Sequence, residues 1–139
     1  MINGIIAQNL QSLDEVLIEL RTLGQISRQQ LDQDWRTKKA VERNLQILVE
    51  VVIGVCQRLL SLAGQTPATT GRDAVDRADK SGFIQPDEAY SKMVQFRNFV
   101  VHRYEHVDNE ILVGMVNQRL VDFERFRDDV INYVRKTTD

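Results

Sequence analysis

The sequence predicts an all-α fold, an up-and-down helical bundle of four main helices with one short extra helix. Three observations predict it. Apolar residues recur at alternating steps of four and three along most of the chain, no stretch alternates apolar and polar at a period of two, and only two prolines and seven glycines interrupt 139 residues. That length fits a single domain, residues 1–139, large enough to bury a core without disulfides or a structural metal.

The first helix follows from Ile6, Leu10, Leu13, Leu17 and Leu20 and is expected from Ile2 to Leu23, with Gly24 as its stop. Ser27 and Gln30 form a capping box, and Ile26 and Leu31 stand at the two positions of a hydrophobic staple, so a new helix begins near Arg28. Along it Val41, Leu45, Leu48, Val52, Val55, Leu59 and Leu62 repeat the four-three step, while Ile47, Val49, Val51, Ile53 and Leu60 widen the apolar surface beyond one seam. Such a helix needs cover on more than one side. At about 35 residues, or about 50 Å, it is the expected main strut, with an irregularity near Asp34 and Trp35 and an end at Gly64.

Residues 64–70, GQTPATT, read as a loop. Thr70 and Asp73 cap a short helix closed by Gly82, so poor in apolar residues that it is expected on the surface. Phe83 and Ile84 anchor the connection, and Pro86 is expected at the first position of the next helix. Asp108 then caps a last helix running through Leu112, Val116, Leu120, Phe123, Val130 and Val134.

Composition narrows the functional classes. A net charge of −2 argues against a protein held on nucleic acid by bulk charge, so any RNA contact must be local, through a few arginines. Cys56 is the only cysteine and lies among Val51, Val52, Ile53, Val55 and Leu59, the setting of a buried thiol rather than a nucleophile. The opening MINGIIAQNLQSLDE lacks the basic and apolar regions of a signal peptide, and no later run reads as the roughly 20 apolar residues of a membrane span. A cytoplasmic protein without a membrane partner is expected.

The chemistry concentrates in residues 92–107, KMVQFRNFVVHRYEHV, which hold both histidines. On a helical wheel Ala89, Met93, Phe96, Val100, Tyr104 and Val107 make an ordinary core stripe. Val94, Val101, Glu105, Asn98 and His102 fill a second arc beside Arg97, a mixture of valines with polar groups that points to a second contact, most simply another copy of the chain. Arg97 and His102 suit phosphodiester chemistry, because imidazole exchanges a proton near neutrality and guanidinium offers a permanent fork for phosphate oxygens. Five residues apart they diverge by about 140° on one helix, so two chains meeting across the arc combine them better than one.

The run Arg97-Asn98-Phe99-Val100-Val101-His102-Arg103-Tyr104 resembles the R-x4-H-x-Y signature of the HepT-like toxins of the HEPN superfamily, and the helical context extends the resemblance over essentially the whole chain. The resemblance implies a HEPN-like bundle that forms a homodimer, a metal-independent endoribonuclease site built from Arg97 and His102 of both copies, and RNA as substrate. It also implies an MNT-type nucleotidyltransferase antitoxin as partner, which transfers AMP from ATP to the motif tyrosine, here Tyr104. This chain would itself need no cofactor, since the ATP is used by the partner.

Each of these residues also has a plainer reading. Arg97 and His102 can be solvated or interface residues, and Asn98 can orient His102 or simply be tolerated at an interface. Tyr104 lies at the edge of the core stripe and can be a packing residue. Glu42 or Glu50 can pair with Arg97 and fix its direction, or belong to a solvated helix face. His102 and His106 are spaced to present two zinc ligands, with Glu105 or Asp108 as a third, but no cysteine is near and no H-E-x-x-H occurs, so no metal is expected. Two other functions remain open: a non-catalytic helical subunit that binds nucleotide or accompanies a nucleotidyltransferase, and a structural bundle that uses the second arc only to oligomerise.

Overall fold

Helix α1 (Gly4–Arg21) buries Ile6, Leu10, Leu13, Val16, Leu17 and Leu20, the stripe marked by the spacing of its leucines. The structure is a computed structural model that describes residues 4–102 and 108–138, without the side chains of residues 99–102 and 138. After α1 the chain turns at Gly24, whose φ of 65° is reached without strain only in the absence of a Cβ.

Ser27 opens α2 (Arg28–Gln33) by accepting from the backbone N–H of Gln30 at 3.1 Å, and both staple residues, Ile26 and Leu31, are buried. Asp34 then divides the expected single strut in two. Its extended backbone closes α2 by donating its N–H to Gln30, while its carboxylate accepts from the backbone of Arg36 and Thr37 and from the Thr37 hydroxyl to open α3 (Trp35–Leu62). The Thr37 hydroxyl and amide are the main cause holding this carboxyl below the usual carboxylate range.

Helix α3 buries Val41, Leu45, Leu48, Val49, Val52, Ile53, Val55, Cys56, Leu59 and Leu60, and every other α-helix of the chain touches it. By length and composition it is apolar enough to cross a membrane, contrary to the expectation that no run would be. In this fold those same apolar residues are the centre of the bundle.

Helix α4 (Gly71–Lys80) starts at Thr70, whose hydroxyl accepts from Asp73 N at 3.0 Å. It is more than a surface helix: Ala74, Val75 and Ala78 form a narrow buried stripe, and Gly71 lies so near α3 that a Cβ there would stand 2.7 Å from Ile53 Cδ1. Small residues supply the close approach that larger apolar ones would supply by bulk.

Helix α5 (Glu88–His102) is capped by Asp87, which accepts from Ala89 N at 2.9 Å, so Pro86 precedes the helix instead of occupying its first position. Near the start of α5 the buried Tyr90 donates its hydroxyl to Asp129 at 2.8 Å and meets the Phe126 ring edge-on at 5.8 Å. Asp129 also accepts from the backbone N–H of Gln85 at 3.0 Å. Burial, then the Asp129 carboxylate, push the Tyr90 phenol well above its ordinary pKa.

The last helix opens at Asp108, which accepts from Glu110 N at 2.9 Å, and runs as α6 (Asn109–Gly114), a π-helical turn over Met115–Arg119, and α7 (Leu120–Thr138). Within the π turn Asn117 bonds both backbone groups of Ile26, at 3.0 and 2.8 Å, so the wide turn presents a side chain that ties the loop after α1 to the last helix. The result is a bundle of four main helices, α1, α3, α5 and the α6–α7 run, with two short ones, α2 and α4, where one was expected. Among the described residues there is no strand.

Tyr90→Phe removes one of two donors to Asp129 and is expected to lower stability by about 1.5–3 kcal/mol, read by urea unfolding. Burial pushes the Cys56 thiol up to about 12 from an ordinary 9.0. Below the ordinary value both folded and unfolded thiols are protonated; above it only the unfolded one ionises, so stability is lost progressively as pH rises from 9.0 toward 12. Unfolding curves at neutral and alkaline pH should show that part of the loss disappear in Cys56→Ala, and a thiol reagent should reach Cys56 only on unfolding.

Candidate functional site

Tyr90, Val94 and Arg97 follow one another at steps of four and three along one flank of α5, a helix that packs against both α3 and α4. Tyr90 and Val94 are buried on this flank, and Ala89, Met93 and Phe96 are buried on the other, as the core stripe predicts. Val94 was expected on an exposed arc. Because α5 is covered on more than one side, Val94 joins the chain's own core, and the open surface starts only at Arg97 and Asn98.

Arg97 donates from Nε to Glu50 Oε1 of α3 at 3.0 Å, and from Nη1 to Asn98 Oδ1 at 3.4 Å. Of the two carboxylates weighed for this pairing, Glu50 is the one that meets Arg97; Glu42 is turned to Lys39, with its Oε2 3.6 Å from Nζ. The side chains of Arg97 and Glu50 are 31% and 43% exposed, so the pair sits at the rim of the core, in reach of solvent and of a ligand. Among the described residues Nη2 donates no hydrogen bond; one of its N–H groups lies on the Nε edge beside Glu50, and the other is left for an anion. Asn98, exposed, lies against Arg97 and extends the polar rim.

His102 is the last residue of α5, and its side chain lies outside the described residues. So do Arg103, Tyr104, Glu105 and His106, on which the candidate modification and the zinc alternative rest. The remaining member of that alternative, Asp108, has its carboxylate engaged as the cap of α6. Among the described residues no group of three or more His, Cys, Asp or Glu is placed to hold a metal ion.

A cleft of about 760 Å³ lies elsewhere. It lies between the other side of α5 and the last helix, with Met93 and Phe96 facing Met115 and Phe123 under a rim that includes Lys92 and Arg119, and Arg97 does not line it.

The sequence model of the HepT-like ribonucleases matches residues 6–130 of the chain. The chain belongs to the HepT-like ribonuclease family. Among its relatives is the mRNA nuclease HepT of Shewanella oneidensis strain MR-1, 31% identical over 101 residues that make up 71% of this chain and 76% of that protein. A tri-AMPylated HEPN toxin of Shewanella oneidensis, solved in complex with an MNT antitoxin, shares the fold at a TM-score of 0.84 and 24% identity, over 94% of this chain and 99% of that one. A toxin–antitoxin complex solved with AMP-PNP matches at a TM-score of 0.81 and 25% identity, over 93% and 98% of the two chains. The HepT-like all-α fold predicted from the R-x4-H-x-Y run is therefore the fold observed.

The sequence reading missed what holds α5 in place. The Tyr90–Asp129 bond fixes the helix upstream of Arg97, and its signal was the recurrence of Tyr90, Val94 and Arg97 at core spacing. Since the Arg97–Glu50 pair is partly exposed, a double-mutant cycle on the two should give a coupling of less than about 1 kcal/mol in urea unfolding. A larger coupling would make the pair a structural strut.

Proposed function

We propose that this chain is the toxin of a toxin–antitoxin pair: a metal-independent endoribonuclease that acts as a homodimer and is neutralised when an MNT-type nucleotidyltransferase transfers AMP from ATP to Tyr104. Membership of the HepT-like ribonuclease family supports the nuclease, and the similar toxins solved with their antitoxins, one of them tri-AMPylated and bound to an MNT antitoxin, support the partner. Its compartment on this reading is the cytoplasm, where RNA and ATP are both at hand.

The chemistry asks little of the protein. His102 takes the proton of an RNA 2′-hydroxyl, the freed oxygen attacks the adjacent phosphorus, and the bond from phosphorus to the 5′-oxygen of the next nucleotide breaks. The departing oxygen takes up a proton, and a cyclic phosphate remains. Arg97 binds the phosphate and stabilises the extra negative charge that builds on it in the transition state. The two groups come from facing copies, because a spacing of five residues turns them about 140° apart on one α5.

The observation that carries this reading is the Arg97–Glu50 contact. A guanidinium held at Nε by a carboxylate is restrained in direction while it stays partly exposed, which reduces the freedom lost when phosphate binds. Asn98 shares the rim and supports Arg97 or the phosphate. An AMP group on Tyr104, two residues from His102, would put bulk and negative charge where the substrate phosphate belongs.

Purified protein should cut RNA in the presence of EDTA, and Arg97→Ala and His102→Ala should each lower the rate by about 100-fold or more. Glu50→Ala should weaken cleavage less, while leaving stability nearly unchanged. The net charge of −2 favours the runner-up, a non-catalytic accessory or nucleotide-binding subunit, which predicts harmless expression without the partner where the nuclease predicts growth arrest. The intact mass of protein made with the nucleotidyltransferase should rise by whole AMP groups, and Tyr104→Phe should abolish the rise.

A further inference from the structure

The α3 face that carries Glu50 continues toward the helix start as a basic strip. With Glu50 at the zero of the wheel, Arg43, Lys39, Arg36 and Trp35 all fall within about 60° of it. All four are exposed, Trp35 to 68%. Arg43 stands about 10 Å along the axis from Glu50 and Trp35 about 22 Å, at a rise of 1.5 Å per residue. The strip therefore runs outward from Arg97 along one side of the molecule.

Its charge is only partly cancelled locally, by Glu42 at Lys39 and by the Asp34 carboxylate near Arg36. Each carboxylate beside it is already engaged: Asp34 by the amides that open α3, Glu42 by Lys39, and Glu50 by Arg97. Among the described residues Arg36 and Arg43 have no ion-pair partner. On a chain of net charge −2, a strip with two arginines outside any ion pair among the described residues is a local exception to the overall balance.

Trp35 has nothing to do in the core. The Arg36 guanidinium lies over its ring, 5.5 Å from the centroid, and the ring remains largely open to solvent. A flat indole with a cation on it, at the end of an arginine strip, is the combination that holds an unpaired base by stacking and its backbone by charge.

We propose that Trp35, Arg36, Lys39 and Arg43 form a binding track for single-stranded RNA, with Trp35 as the stacking platform and the arginines on the phosphates, delivering the strand to Arg97. The track rests on the nuclease reading for its direction, but it makes a separate claim about where RNA binds. Arg36 and Arg43 are positioning residues that touch RNA away from the scissile phosphate, and Trp35 sets which nucleotide sits farthest from the cut.

Trp35 is the only tryptophan in the chain, so its fluorescence reports this site alone. The probe is a short 2′-O-methyl oligoribonucleotide, which lacks the attacking hydroxyl and stays intact, added to the His102→Ala protein. Binding should quench Trp35 fluorescence. Arg43→Glu and Arg36→Glu should each weaken the affinity roughly tenfold and reduce its salt dependence by about one counterion for the arginine lost. Arg72→Glu, on α4, should change neither. On cleavable RNA, Trp35→Ala should raise KM several-fold at nearly constant kcat.

Three outcomes would overturn the track: binding seen by anisotropy of labelled oligonucleotide with Trp35 fluorescence unchanged, affinity indifferent to Arg43→Glu, or a Trp35 signal that follows protein concentration alone, which would give this face to a second copy of the chain. Quenching with the expected charge dependence, beside wild-type protein that cuts no RNA, would uphold the track and sink the nuclease reading. Cleavage that is intact while Trp35 is silent would do the reverse.

Discussion

One helix, apolar around most of its circumference, dictates where everything else in this molecule goes. Helix α3 has to be covered, and all the other α-helices contribute to covering it. The residues left exposed toward its start and middle, Trp35, Arg36, Lys39, Arg43 and Glu50, define a strip on which charge is placed without burial. Arg97 meets Glu50 because α5 packs along the edge of that strip. The position of the candidate site is thus a by-product of core formation, which leaves Arg97 and Glu50 partly exposed at the rim.

The precision of that meeting depends on how α5 is seated. Asp87 caps the helix, the Tyr90 hydroxyl and the Gln85 amide converge on Asp129, and Val94 locks the flank into the core one turn before Arg97. A shift of α5 by a single residue would rotate Arg97 by about 100° and part it from Glu50. Directional hydrogen bonds to a carboxylate resist such slippage better than apolar packing alone, which tolerates small displacements. The α5 seat and the Arg97–Glu50 contact therefore depend on each other's register.

Much of this was legible before the fold was seen, because most of it is written in local chemistry. The leucine spacing gave α1, Ser27 with Ile26 and Leu31 gave the start of α2, and Thr70 and Asp108 gave two more helix starts. What escaped the sequence were features decided by tertiary packing. Val94 looked exposed because a wheel drawn for one stripe does not know that α5 has several neighbours. α4 looked superficial because alanine and glycine bury their backbone closely while adding little to an apolar count. The single strut became two helices because Asp34 could cap one while ending the other. Between Glu42 and Glu50, only the actual register of α3 against α5 could decide which would face Arg97.

The central claim is that an arginine and a histidine from facing copies work on one phosphodiester. Mixing inactive Arg97→Ala protein with inactive His102→Ala protein, under conditions that let subunits exchange, tests this directly by RNA cleavage. Mixed dimers place an intact Arg97 of one copy opposite an intact His102 of the other. Recovery of cleavage on mixing is the predicted result; a mixture as inactive as its two components, with subunit exchange demonstrated, would contradict the account.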